Sequence, residues 1–279
     1  MMMRFITLIA AFLGTTQMAF AQTMGQPTAG AYGMQESASP LMDNVTIFNN
    51  YLVWGMTAVV IFVLLLLIYV MWKFRASANP NPSRTTHHVL LEVAWTIVPI
   101  LILLVIAVPS FRLLYESDKH HDAEMTIKAT GYQWYWGYEY PDHGGFSFDA
   151  VMLQDDELTE EQKPLRLLLT DNALVVPAGV KIRLQVTSED VIHAWTVPAT
   201  GIKVDGIPGR LNEIPVFFRE PGMYYGQCSE LCGKDHGFMP IMVKVVTKEE
   251  FAAWVEKAKV EFADNSGAAP VRLAQTALK

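Results

Sequence analysis

Between residues 228 and 239 the chain reads Cys228-Ser229-Glu230-Leu231-Cys232-Gly233-Lys234-Asp235-His236-Gly237-Phe238-Met239, gathering its only two cysteines with a histidine and a methionine. An isolated histidine, His193, lies upstream. Thiolate, thioether and imidazole are donors that copper favours, and a copper site of this kind does electron transfer rather than hydrolysis. Two blander readings compete. A pair of cysteines in an exported chain can close a disulfide across a C-x3-C loop. A structural zinc site is the other, but it is usually built from C-x2-C pairs in a closed set of four ligands, and the soft thioether of Met239 argues against it. A mononuclear blue-copper site takes one cysteine, two histidines and a weak axial methionine, so here there is one thiol too many. The second thiolate suits two coppers bridged by both sulfurs, each also holding one histidine. Gly233 and Gly237 keep the segment a loop, and Pro240 starts the next extended run.

A loop of ligands needs a rigid frame. From Tyr115 onward the chain is rich in acidic residues, 25 against 16 basic ones, and carries period-two patterns. Val180, Ile182, Leu184 and Val186 alternate with Lys181, Arg183, Gln185 and Thr187, the mark of a half-buried strand. Further strands are expected at Met125–Thr130, Gln133–Tyr140, Leu165–Thr170, His193–Val197, Ile214–Phe218 and Pro240–Val246. Glycine and proline punctuate them at 177–179, 206–209 and 221–222. Short strands so spaced predict a β-sandwich or Greek-key barrel over 115–247. Thr247-Lys248-Glu249-Glu250 reads as a capping box, with Phe251, Trp254, Val255, Ala258 and Phe262 at helical spacing behind it. Residues 248–279 are therefore expected to form a C-terminal helix and tail.

The remainder of the chain predicts export and anchoring. Hydrophobic residues make up 51% of the sequence, yet it holds 28 acidic and 21 basic residues, a mixture that fits a membrane anchor joined to a sizeable polar domain. Arg4, the apolar run from Phe5 to Leu13 and Ala19-Phe20-Ala21 have the form of a cleavable leader over 1–21, with 22–50 following outside the cell membrane. Two segments within 51–114, about 51–72 and 89–111, are long and apolar enough to span a bilayer. Their connector, 73–88, holds Lys73, Arg75 and Arg84, whereas 22–50 holds only Glu36 and Asp43, which places the connector in the cytoplasm and both ends outside. Glu92 stands at the cytoplasmic start of the second span, where a carboxylate is comfortable at a helix N-terminus and can also gather protons. The aromatic run Gly131–Tyr140 places Trp134, Trp136, Tyr138 and Tyr140 on one strand face; most of these rings are expected in the core, while one exposed indole could take an electron from a docked donor. The acidic surplus is ordinary solvation or a field that steers a cationic partner.

The set of His193 with Cys228, Glu230, Cys232, Gly233, His236, Gly237 and Met239 resembles the binuclear copper A centre of the cytochrome c oxidase subunit 2 family, in its alpha-proteobacterial form. The resemblance extends over roughly residues 40–250. It implies an α+β membrane protein, a two-helix transmembrane hairpin followed by an all-β cupredoxin-like Greek-key domain. It implies two copper ions held by His193, Cys228, Cys232, His236, Met239 and the backbone carbonyl of Glu230. The Glu230 carboxylate is implied to bind a magnesium or manganese ion shared with oxidase subunit 1, with Asp205 and Arg210 near that interface. Trp134 would accept electrons from cytochrome c, docked on Glu139, Asp149, Asp171 and Asp190, and Glu92 would open a proton path. The activity implied is that of a subunit of a proton-pumping terminal oxidase in the bacterial inner membrane, with oxygen reduced to water at subunit 1. Three rivals fit less well. A quinol oxidase subunit lacks the copper ligands, nitrous oxide reductase needs a large further domain, and a tethered copper chaperone has no use for the aromatic run or Glu92.

Overall fold

The structure is a computed structural model and describes residues 25–118 and 123–263. The expected leader at 1–21 and the tail from residue 264 lie outside these residues. Helix α1 (Pro40–Lys73) begins at Pro40 rather than near Tyr51, because Ser39 caps it: its hydroxyl accepts the Met42 N–H at 3.0 Å, and Pro40 fills the first helical position. Its first turns carry Asp43, Asn44, Asn49 and Asn50, so the helix starts outside the apolar span. Helix α2 (Val89–Ser117) likewise runs past Phe111. At its start His88 Nδ1 accepts the Leu91 N–H at 3.2 Å, and the Glu92 carboxylate reaches back to the His88 N–H at 3.3 Å. Both helices are long and apolar enough to cross a membrane, and their apolar side chains are exposed all round, which suits a lipid surround.

The rest of the described chain is a sandwich. Strands β1 (Met125–Tyr132), β2 (Tyr135–Glu139), β3 (Ser147–Ala150), β5 (Ile182–Ser188) and β8 (Asn212–Val216) form one sheet in the order β3-β2-β1-β5-β8. Strands β4 (Leu174–Pro177), β9 (Gly222–Gln227) and β10 (Pro240–Val246) form a second, ordered β4-β10-β9, and β6 (His193–Val197) pairs with β7 (Ile202–Gly206). Only β1 with β5 and β4 with β10 are parallel; the other pairs are antiparallel. The alternation expected in β5 is present, with Ile182, Leu184 and Val186 buried between half-exposed Arg183, Gln185 and Thr187. Trp136, Tyr138, Trp195, Leu184 and Val243 meet in the core. This is the cupredoxin-like architecture expected.

One expected strand is absent. Leu165–Thr170 instead opens with a 3₁₀ turn at Lys163–Leu165, and Leu167 takes a left-handed backbone with φ of 70°. Pro164 favours that turn, and the left-handed residue ends any extended run, so only Thr170 bridges, to Met152. Conversely, β4 escaped the period-two pattern because all four of its residues are buried. Tyr140 ties the sheets together: its hydroxyl donates to the Val175 carbonyl at 2.7 Å and accepts the Val175 N–H at 3.0 Å. Helix α3 (Lys248–Glu261) has the capping box and buries Phe251, Val255 and Ala258, while its Trp254 packs against Tyr140, Phe146 and Phe148.

The hairpin is fastened to the sandwich. Ala38 donates to Ala199 at 2.8 Å and Ser39 Oγ to the Thr200 carbonyl at 2.7 Å, while Arg219 pairs with Asp43 at 2.6 Å. Gly201 must be glycine here, since it is left-handed and a Cβ would stand 3.2 Å from Met42 Cα. At the same end of the hairpin Asn44 donates to Glu116, joining α1 to α2. Tyr140→Phe is expected to lower the stability of the β-domain by about 1–3 kcal/mol, because it leaves the buried Val175 peptide groups unpaired; chemical denaturation followed by tryptophan fluorescence measures this.

Candidate metal centre

Three elements converge at one end of the sandwich. His193 opens β6, Cys228 directly follows β9, and Met239 directly precedes β10, with Cys232 and the 3₁₀ turn His236–Phe238 between them. Because β9 and β10 are antiparallel neighbours paired at Gln227 and Pro240, residues 228–239 are the loop joining two adjacent strands, and its two ends are pinned side by side. Gly226 lets β9 lie against β6: a Cβ there would fall 1.8 Å from the Thr196 carbonyl oxygen. Ser229 N–H then bonds the Ala194 carbonyl at 3.0 Å, drawing the loop onto the His193 strand.

The two thiols are free, not a disulfide. Their sulfurs stand 3.9 Å apart, against about 2.05 Å for a bonded pair. Cys228 Sγ lies 3.8 Å from His193 Nδ1 and 3.3 Å from the Glu230 carbonyl oxygen. Cys232 Sγ lies 3.5 Å from His236 Nδ1 and 3.5 Å from Met239 Sδ. Donors about 2.3 Å from a shared tetrahedral ion lie about 3.7 Å from one another, so these spacings fit a ligand cage drawn around metal. The donors of His193, Cys228 and Cys232 all fall within 4.8 Å of one another and are buried. Burial opposes ionisation of Cys228, but hydrogen bonding from His193 and from the Ala194 and Glu230 backbone overcomes it and lowers its pKa to about 7. Burial and the neighbouring Cys228 charge hold Cys232 up to about 12. A second thiolate at such a spot calls for a cation, as metal binding supplies.

Several neighbours hold this cage. A Cβ on Gly131 would sit 2.8 Å from the His193 ring, so β1 can pass the imidazole only with glycine there. Trp136 meets that ring edge-on at 6.0 Å. Trp134 is not part of the strand face expected of it; with Gln133 it makes the turn between β1 and β2, half-exposed, and its indole donates to the Cys232 carbonyl at 3.2 Å. Lys234 caps the indole ring at 5.6 Å. Gln133 and Gly131 carried no chemical signal in the sequence; their part follows from close packing.

Family comparison agrees with the geometry. A family model for the periplasmic domain of cytochrome c oxidase subunit II matches residues 125–246, and one for its transmembrane domain matches 27–113. A probable cytochrome c oxidase subunit 2 of Rickettsia bellii is 48% identical over 230 residues, covering 82% of this chain and 85% of that one. The chain belongs to the cytochrome c oxidase subunit 2 family. The cytochrome c oxidase subunit 2 of Cereibacter sphaeroides is 42% identical over 268 residues, 90% of this chain and 88% of its own. The crystallised periplasmic domain of subunit II of cytochrome oxidase from Bradyrhizobium japonicum is 57% identical, covering 51% of this chain and 98% of that one, with a TM-score of 0.47. The chain thus joins the transmembrane and periplasmic domains of a cytochrome c oxidase subunit 2, two membrane-length helices followed by a cupredoxin-like sandwich.

The other residues singled out in this subunit scatter in an ordered way. Glu139 on β2 and Asp149 on β3 line one shallow cleft of the outer sheet face with Glu189 and Tyr132. Glu139 pairs with Lys128 at 3.5 Å. Asp171 lies close by, its Oδ1 accepting the Val151 and Asn172 N–H groups, while Asn172 bonds the Asp149 carbonyl at 2.9 Å. Asp190 differs: it turns inward, its Oδ1 2.8 Å from His193 Nε2. The Glu230 carboxylate and Asp205 share Lys203, at 3.8 and 3.9 Å, while Arg210 lies on the exposed turn after β7. Glu92 is far along the chain at the opposite end of α2. Gly131→Ala is expected to push His193 out of the cage and weaken copper retention by at least about ten-fold, the scale of losing ligand support, measured by chelator competition on the folded chain.

Proposed function

We propose that this subunit takes electrons from cytochrome c and delivers them to the haem of oxidase subunit 1. The observation that supports this reading most is the cage itself: two free thiols 3.9 Å apart with His193, His236, Met239 and the Glu230 carbonyl around them. Bound in it, a pair of coppers supplies one-electron chemistry with the charge shared over two metals, in an oxidase that reduces oxygen to water and pumps protons. The chain's own residues do the rest. His193 and His236 both present Nδ1 to a sulfur, and two thiolates would offset most of the charge that two copper ions bring. Burial of Cys228, Cys232, His193 and Met239 excludes water, and strands on both sides hold the donors fixed, so little rearrangement accompanies a change of charge.

Trp134 is the proposed receiving group. Its half-exposed ring faces the outside and its N–H bonds the backbone of Cys232, which links a surface ring to a ligand residue through one hydrogen bond. Glu139, Asp149, Asp171 and Asp190 are the proposed docking acids; the first three flank one surface region, and their field would steer a basic cytochrome c. Magnesium or manganese is proposed at Glu230, next to Asp205, where Lys203 now balances both carboxylates; an oxygen donor set of this kind suits a hard cation. Subunit 1 would complete that site beside Arg210. The sequence pattern of a leader at 1–21 and the basic connector support a sandwich outside the inner membrane, with both mature ends periplasmic and 73–88 cytoplasmic.

Glu92 is the proposed mouth of a proton path. Its half-exposed carboxylate accepts the N–H of His88, the residue that caps α2, and at the cytoplasmic end proposed for this helix it would exchange protons with the cytoplasm.

Stopped-flow reaction of the purified oxidase with cytochrome c tests the docking surface and Trp134 together. Trp134→Phe should slow electron uptake by ten-fold or more, on the order of the loss of one positioned group, and leave the salt dependence of docking intact. Glu139→Gln with Asp171→Asn should weaken docking and flatten that dependence. Unaltered salt dependence in the acidic variant would remove the docking assignment. Glu92→Gln is expected to slow steady-state turnover while copper content and cytochrome c docking stay at wild-type values; normal turnover would exclude it from the proton path.

A further inference from the structure

Asp190 and Gln133 stand between the two halves of the ligand set. One half is His193 on β6; the other is the 228–239 loop. Asp190 Oδ1 lies 2.8 Å from His193 Nε2 and also accepts the Val191 N–H at 2.6 Å. Its Oδ2 accepts the Gln133 N–H at 2.6 Å. The side-chain amide of the same Gln133 donates to the Cys232 carbonyl at 2.8 Å, beside the Trp134 indole. An unbroken chain of hydrogen bonds thus runs from His193 through Asp190 and Gln133 to Cys232.

We propose that Gln133 and Asp190 form a clasp that fixes His193 and Cys232 in register before metal arrives, with Asp190 acting on the ligand set as a positioning residue. The reasoning is chemical. A carboxylate only accepts, so the hydrogen of His193 sits on Nε2 and its Nδ1 keeps the lone pair that faces Cys228. A second carboxylate shell of this kind fixes both tautomer and ring orientation of a metal-binding histidine. Gln133 contributes through two different atoms at once, its backbone N–H to one half and its side-chain amide to the other, and no other residue described bonds both Asp190 and Cys232. The turn also carries Trp134, so the ring proposed to receive electrons is held in the same register as the cage.

The inference rests on the copper reading, and the test separates the two. In the assembled oxidase, Asp190→Glu keeps the charge but shifts the carboxylate by one methylene, and Gln133→Met keeps the side-chain length but removes the amide on an exposed turn that folding can tolerate. Both should weaken copper retention against a chelator by about 10–100-fold and alter the copper hyperfine pattern in paramagnetic resonance, two readouts that a role in docking alone does not move. The double variant should lose no more than the weaker single, because the two residues act through one chain of bonds. Wild-type retention and spectrum in Asp190→Glu would overturn the clasp, as would losses that simply add in the double variant. Wild-type oxidase without a two-copper spectrum would instead defeat the copper reading. The clasp is then read from hydrogen exchange of the 228–239 loop in the metal-free chain, which must be faster in Gln133→Met; unchanged exchange overturns it.

Discussion

Cys228 and Cys232 stand 3.9 Å apart, nearly twice the length of a disulfide and close enough that any slack would let them bond. Nearly everything at this end of the sandwich serves to keep that gap. Strands β9 and β10 pin both ends of the loop, Ser229 draws it onto β6, and the Cys232 carbonyl is held from outside by Gln133 and Trp134. Two thiols, the His193 imidazole and a thioether are buried together, with His236 half-buried beside them, and buried polar groups without partners are costly. A cation at their centre resolves that cost, which is why a preassembled cage and a metal imply each other.

The frame shows how a β-sandwich makes such a cage without a long ligand-bearing helix. Donors come from strand ends and one connecting loop, so their positions are fixed by the pairing of β9 with β10 and the packing of β6 rather than by the loop's own conformation. Close approach is what the glycines supply. Gly226 admits the backbone of β6, and Gly131 admits the ring of His193. Larger residues at either place would push a ligand-bearing strand away, although neither glycine touches a donor atom of the proposed copper pair directly.

The ligand types were legible in the sequence because five of the six proposed donors lie in one short segment whose chemistry is unusual for any structural purpose. The two spans were legible from length and apolarity, and β5 from its alternation. What stayed hidden depends on partners distant in the chain. β4 shows no alternation because it is covered on both faces, and Leu165–Thr170 looks extended although Pro164 and the left-handed Leu167 turn it. Asp190 reads as one more acid in an acidic domain; only the fold shows that its oxygens meet His193 and Gln133. Gly131 could not be read at all, since its importance is the width of an imidazole from another strand.

The junction of hairpin and sandwich has a consequence for electron flow. Strand β6 begins with His193 and, after five residues, runs into the 3₁₀ turn Pro198–Thr200, whose last residues bond Ala38 and Ser39 at the head of α1. Five strand residues measure roughly 16 Å, so the ligand cluster is mounted on the membrane anchor by a short, stiff strut rather than a tether. Tunnelling rates fall off exponentially with distance. A strut of fixed length would make the proposed electron hop towards the membrane a constant of the fold, indifferent to tilt and breathing of the surrounding lipid.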